Sequence, residues 1–188
     1  MAPRATPRGF VAAGLLLCLL AAVNTAVLAD EKTAPTVEQL EAALLVTFAN
    51  YTVWPPAALP SAATPIVVGV VGDQALAQTF EQTSRDRRAS GRPFVTKVLQ
   101  WEGDLSGVNV LFLGDIDRRH MTALLARSKQ APILTVSATP EFDREGGMIT
   151  LKSTGGRVSF AVNAHAVRLA GLQLSSFVLS YATRVSGQ

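Results

Sequence analysis

Glycine, serine, histidine and arginine stand at the positions in this chain that invite a chemical reading. "GVVGD" (69–73) sits where a strand would turn into a helix, the place for a phosphate cradle. It lacks both the three-glycine dinucleotide fingerprint and the Walker pattern, so a Gly-Asp turn that caps a helix accounts for it. "KSTG" (152–155) echoes a motif of penicillin-binding enzymes, but the chain has no S-x-x-K and no G-x-S-x-G, and nucleophilic catalysis has no support. His120 and His165 are far apart in sequence, and neither belongs to a close His/Asp/Glu set with metal-ligand spacing. Arg85, Arg87, Arg88 and Arg92 crowd one loop, which suits an acidic partner or anionic headgroups as well as it suits water. No catalytic residue, metal ligand or cofactor site is expected, and the chain is not expected to be an enzyme.

The elements that would carry these residues begin after an N-terminal export signal. Arg4 and Arg8 precede an uncharged stretch from Gly9 to Ala29, and Val27-Leu28-Ala29 meets the cleavage preference before Asp30. Residues 1–29 are therefore expected to be a signal peptide, with one domain over 30–188. Export would remove two of the 17 basic residues and none of the 14 acidic ones, leaving 15 − 14 = +1, so no nucleic-acid partner is implied. Cys18, the one cysteine, would leave as well, and the mature chain could form neither a disulfide nor a thiol switch.

In the domain, "TVEQ" (36–39) has capping-box spacing, and Val37, Leu40, Leu44, Phe48 and Tyr51 recur as one helix face, with Glu38, Gln39 and Glu41 off it. Pro55 and Pro56 end that helix after Trp54. The unbroken run "IVVGVVG" (66–72) predicts a strand covered on both faces, followed by a helix from Asp73 to about Ser84 with Leu76 and Phe80 inward. Further strands are expected at 94–100, 108–114 and 131–137, with a helix capped by Asp115 or Asp117 and ending near Lys129. "PEFDREGG" (140–147) is a turn, 148–152 and 157–162 form a hairpin around "STGG", and Asn163 caps a last helical region to about Arg184, with Gly171, Ser175 and Ser176 as possible break points. The expected class is α/β: a mostly parallel sheet with helices on both faces, plus an antiparallel hairpin at one edge.

Several of these stretches occur together, in order, in one family. Phe48…Trp54-Pro55, "VVGVVGD" (67–73), "GRP" (91–93), "DLSGVNVLFLG" (104–114), "PILTVS" (132–137), "GGMITL" (146–151) and "GRVSFAVN…AVRLAGLQLSSFVLSYA" (156–182) resemble the YfiR family of periplasmic proteins over nearly the whole mature chain. The resemblance implies a periplasmic, non-enzymatic repressor that binds the sensor domain of an inner-membrane signalling protein. In that family the target is a diguanylate cyclase, so the repressor lowers cyclic di-GMP and biofilm formation, and an outer-membrane lipoprotein can sequester it. Histidine-kinase sensor domains and homodimers are further partner options. Relatives carry cysteines, one of them where Val108 stands, and this chain departs from them there.

Partner contact is assigned to Phe177 and Tyr181, because the last helical region holds more large apolar residues than one buried face needs, to Trp54, because tryptophan is enriched at hot spots, and to Arg92 of the basic loop. For Trp54 the reading as a fold anchor, packed over the turn that Pro55 and Pro56 make, weighs more than the partner reading. The alternative function is a small-ligand sensor for a membrane kinase or transporter, its ligand lying where Gly72-Asp73 and Gly114-Asp115 would meet if their strands are neighbours.

Overall fold

The computed structural model describes residues 34–187, so the segment read as a signal peptide, Cys18 included, lies outside the described residues. Helix α1 spans Val37–Asn50 and opens with the expected capping box: the Gln39 amide donates to Thr36 Oγ1 at 3.3 Å and the Thr36 amide donates to Gln39 Oε1 at 3.0 Å. Its inner face is rotated from the one expected. Ala42, Leu45, Val46, Phe48 and Ala49 are buried together with Glu41, whereas Val37, Leu40 and Leu44 are half-buried and Tyr51 is exposed. The helix packs on both the sheet and a second helix, and the small Ala42 and Ala49 lie on the face these neighbours cover.

Strand β1 (Thr52–Val53) follows, then β2 (Ile66–Val71), whose six residues are all buried. Asp73 caps α2 (Gln74–Ser84) by accepting the Leu76 amide at 2.8 Å, and Leu76 and Phe80 point into the core as their spacing predicts. β3 (Phe94–Leu99) and β4 (Val110–Leu113) lie on either side of β2. Asp117, not Asp115, caps α3 (Arg118–Ser128). β5 (Leu134–Ser137) leads into a turn, and β6 (Ile149–Thr154) and β7 (Arg157–Asn163) make the expected hairpin. Strand β6 reaches further than the sequence suggested, through Ser153 and Thr154, because Gly155 and Gly156 alone make the turn with φ of +58° and +71°. Two successive left-handed residues match the twist of a tight hairpin, and glycine adopts them at no steric cost.

The C-terminal region departs from the single broken helix that was expected. Asn163 does cap α4 (Ala164–Leu169) through the Ala166 amide, but the chain then forms β8 (Gln173–Leu174), α5 (Ser176–Tyr181) and β9 (Arg184–Ser186). Gly171, at φ +70°, turns the chain out of α4, and β8 pairs antiparallel with β1. Arg184 thus lies in a strand.

The seven-stranded sheet has the order β3-β2-β4-β5-β6-β7-β9, parallel throughout except for the β6/β7 hairpin near one end. Alternate side chains feed two cores. Ile66, Val68, Val70, Val110, Phe112, Leu134 and Val136 meet α1, α2, Val167 of α4 and Val178 of α5 on one face. Val67, Val71, Leu111 and Leu113 meet α3 and Phe142 on the other. Helices cover both faces, as the unbroken β-branched runs require.

Candidate functional site

The end of α1 and the start of α5 meet in an exposed aromatic ridge. Tyr51 is the residue that ends α1, its carbonyl accepts the Ser175 amide at 2.9 Å, and the β1/β8 pairing holds the two segments in register. Ser175 then caps α5 through the Phe177 amide, which places Phe177 in the first turn over Tyr51. The Tyr51 and Phe177 ring centroids are 4.7 Å apart with planes tilted by 31°, and Phe177 lies 5.0 Å from Tyr181 one turn later. Tyr181 is 67% exposed and Phe177 46%, although aromatic side chains in a water-facing position forfeit their burial energy. Val53 extends the apolar surface at 60% exposure.

Beside the ridge runs a groove of about 350 Å³, with Leu44, Phe48, Val158, Phe160 and Val178 in its walls. Tyr181 is the one ionisable residue in that lining. The arrangement suits contact with an apolar surface.

The structure brings Phe177 and Tyr181 together and adds Tyr51, which its place in the helix pattern had assigned to the core. Trp54 does not join them. It is 9% exposed and packed in the main core, and its indole Nε1 has no hydrogen-bond partner among the described residues. Arg92 is also apart from the ridge: its guanidinium donates to the carbonyls of Ser61 and Thr64, tying two loops together, while Arg85, Arg87 and Arg88 remain exposed.

Strands β2 and β4 are indeed neighbours, so the Gly72-Asp73 and Gly114-Asp115 turns meet. They fill the space between them. The Asp115 amide donates to Gly72 O at 3.2 Å, and a Cβ on Gly114 would stand 2.8 Å from that same oxygen. His120 stacks on Trp101 with centroids 4.1 Å apart and pairs through Nδ1 with Asp117, an arrangement that staples the first turn of α3 to the loop after β3. Among the described residues no group of three or more His, Cys, Asp or Glu could hold a metal ion, and no helix is long and apolar enough to cross a membrane.

Glu41 is the unexpected ionisable group. Burial, with smaller contributions from Asp73 and Glu38, pushes its carboxyl up to about 7.

The family described as YfiR/HmsC-like matches residues 38–183. The chain belongs to that family. That family is periplasmic and regulatory rather than catalytic. Among solved structures the chain is similar to a conserved domain protein from Vibrio cholerae O1 biovar El Tor, with 13% identity and a TM-score of 0.55. That similarity covers 80% of this chain and 60% of the Vibrio chain, and at such identity it speaks for the shared fold alone. No curated protein matches the chain.

Proposed function

We propose that the protein is a periplasmic repressor that binds the sensor domain of an inner-membrane diguanylate cyclase, using the Tyr51–Phe177–Tyr181 ridge as its contact surface. Family membership supports the signalling context, and the ridge supports the mode of action. Three aromatic rings, with Phe177 in contact with both tyrosines, exposed beside an apolar groove, have the chemistry of an interface hot spot. A repressor of this kind needs no reaction. It lowers output as far as its affinity for the inactive sensor domain exceeds that for the active one, and a competitor for the same surface, such as an outer-membrane lipoprotein, releases the brake.

Deletion of the gene should raise cellular cyclic di-GMP, and the tagged protein should capture a membrane protein with a periplasmic sensor domain. An unchanged nucleotide level together with no captured membrane protein would reject the proposal.

A further inference from the structure

The sheet faces that the helices cover are not complete. Beyond β5, on the face that carries α3, Thr150 and Lys152 of β6, Ala161 of β7 and Arg184 of β9 are in register across three strands, with Thr150 opposite Ala161 and Ala161 opposite Arg184. The turn after β5 rises beside them as a wall, and the two enclose a cleft of about 640 Å³, a size usual for small-molecule sites. The wall is firmly held. Phe142 is buried in the second core, and Gly147 passes so close to its ring that a Cβ there would overlap it.

At the foot of the cleft lies a buried acid with an organised set of partners. The side chain of Asp143 is 1% exposed, its Oδ2 is 2.6 Å from Arg184 Nη2, and its Oδ1 accepts the Thr150 hydroxyl at 3.0 Å. Asp143 also donates its amide to Thr150 Oγ1, and its carbonyl accepts Asn163 Nδ2. The buried carboxylate is already paired with one cation and accepts a hydroxyl, and this arrangement aims the guanidinium. One guanidinium nitrogen is engaged by Asp143, and the 45% exposed side chain keeps further N–H groups for a guest. Arg144 on the wall is already paired with Glu141 at 2.6 Å. Lys152 is exposed and forms neither an ion pair nor a side-chain hydrogen bond among the described residues. The balance of charge along the lining is therefore three cations against two acids, 3 − 2 = +1, with Lys152 the unspent charge and Ala138, Pro140 and Ala161 supplying apolar contact.

We infer that this cleft binds a small organic anion, its carboxylate or phosphate held between the Arg184 guanidinium and the Lys152 ammonium and its carbon body laid against Pro140 and Ala161. A guanidinium held by a buried acid is pre-organised to meet an oxyanion with two parallel hydrogen bonds, and the lysine adds charge without fixing geometry. The inference stands apart from the ridge, which faces the other core and is built from other elements.

The test is a titration of isotope-labelled protein with citrate, benzoate and phenyl phosphate, followed by amide shifts in an NMR spectrum. Saturable shifts at Thr150, Lys152, Ala161 and Arg184 are expected, with the preferred probe identifying the acid group as carboxylate or phosphate. Lys152→Ala, at an exposed position, should weaken binding about tenfold while the thermal midpoint stays put. Arg184→Lys, which keeps a cation opposite Asp143, should weaken it as well. Absence of saturable shifts with all three probes, or unchanged affinity in Lys152→Ala, overturns the inference.

Discussion

Asn109 and Val67 exchange two hydrogen bonds of different kinds: the Asn109 amide donates to the Val67 carbonyl at 2.9 Å, and the Val67 amide donates to the Asn109 side-chain Oδ1, also at 2.9 Å. The side chain thus stands in for a backbone acceptor where the β2/β4 ladder begins. Asn109 is 3% exposed, so no water replaces the bond when it is lost. Asn109→Ala should lower unfolding free energy by about 1 to 3 kcal/mol, the cost of a buried donor left unpaired. Denaturant titration would show a lower midpoint at an unchanged slope.

Glu41 makes stability depend on pH in a direction opposite to that of a salt-bridged acid. Its carboxyl is raised from an ordinary 4.5 to about 7, so the folded state holds the proton more tightly than the unfolded one. The stabilisation is complete below the unfolded value and is lost as pH rises through the folded one. Moving from about pH 5 to about pH 8 should cost about 1 to 3 kcal/mol, and Glu41→Gln should remove most of that slope. A variant with the same pH profile as the parent would show that another group carries the effect.

The ridge makes a separable prediction. Tyr181→Ala combined with Phe177→Ser should change unfolding free energy by only about 1 kcal/mol, since both side chains already face water, yet abolish capture of the membrane partner. Thermal unfolding and pull-down, run on the same preparation, distinguish a lost surface from a lost fold.

Trp54 should behave as a core residue. Trp54→Ala is expected to cost about 3 to 5 kcal/mol, whereas Trp54→Phe, which retains much of the volume and deletes the orphaned indole N–H, should cost far less. Trp54→Ala that remains stable but no longer binds partner would move this residue from the core to the interface.

Much of this architecture is legible in the residues. The capping box at Thr36, the Asp73 cap and the unbroken apolar run of β2 each act within a few positions, and each appears where local chemistry puts it. Glu41 was misplaced because a carboxylate on a helix is normally assigned to water, and its burial comes from a second helix that its own sequence does not announce. The C-terminal strands β8 and β9 have two and three residues, too few for any periodicity, and they exist because β1 and β7 offer them partners. Phe177 and Tyr181 stood out as a surplus of large apolar residues, but Tyr51 looked like a helix-face residue until the turn beyond Asn50 is known. The anion cleft was invisible for a similar reason: Asp143 and Arg184 meet only through the sheet.

The β1/β8 pair also sets an order of events. It is a clip of two residues on each side, and it joins the end of the first helix to the segment just before the last one. Closing so long a loop is slow relative to the nearby contacts of β2, α2 and β3. For a polypeptide that emerges N-terminus first, Tyr51 waits for Phe177 until almost the whole chain is available. The assembled aromatic ridge is thus a certificate of completed folding, and on the proposed mode of contact a truncated molecule lacks the surface a partner would read.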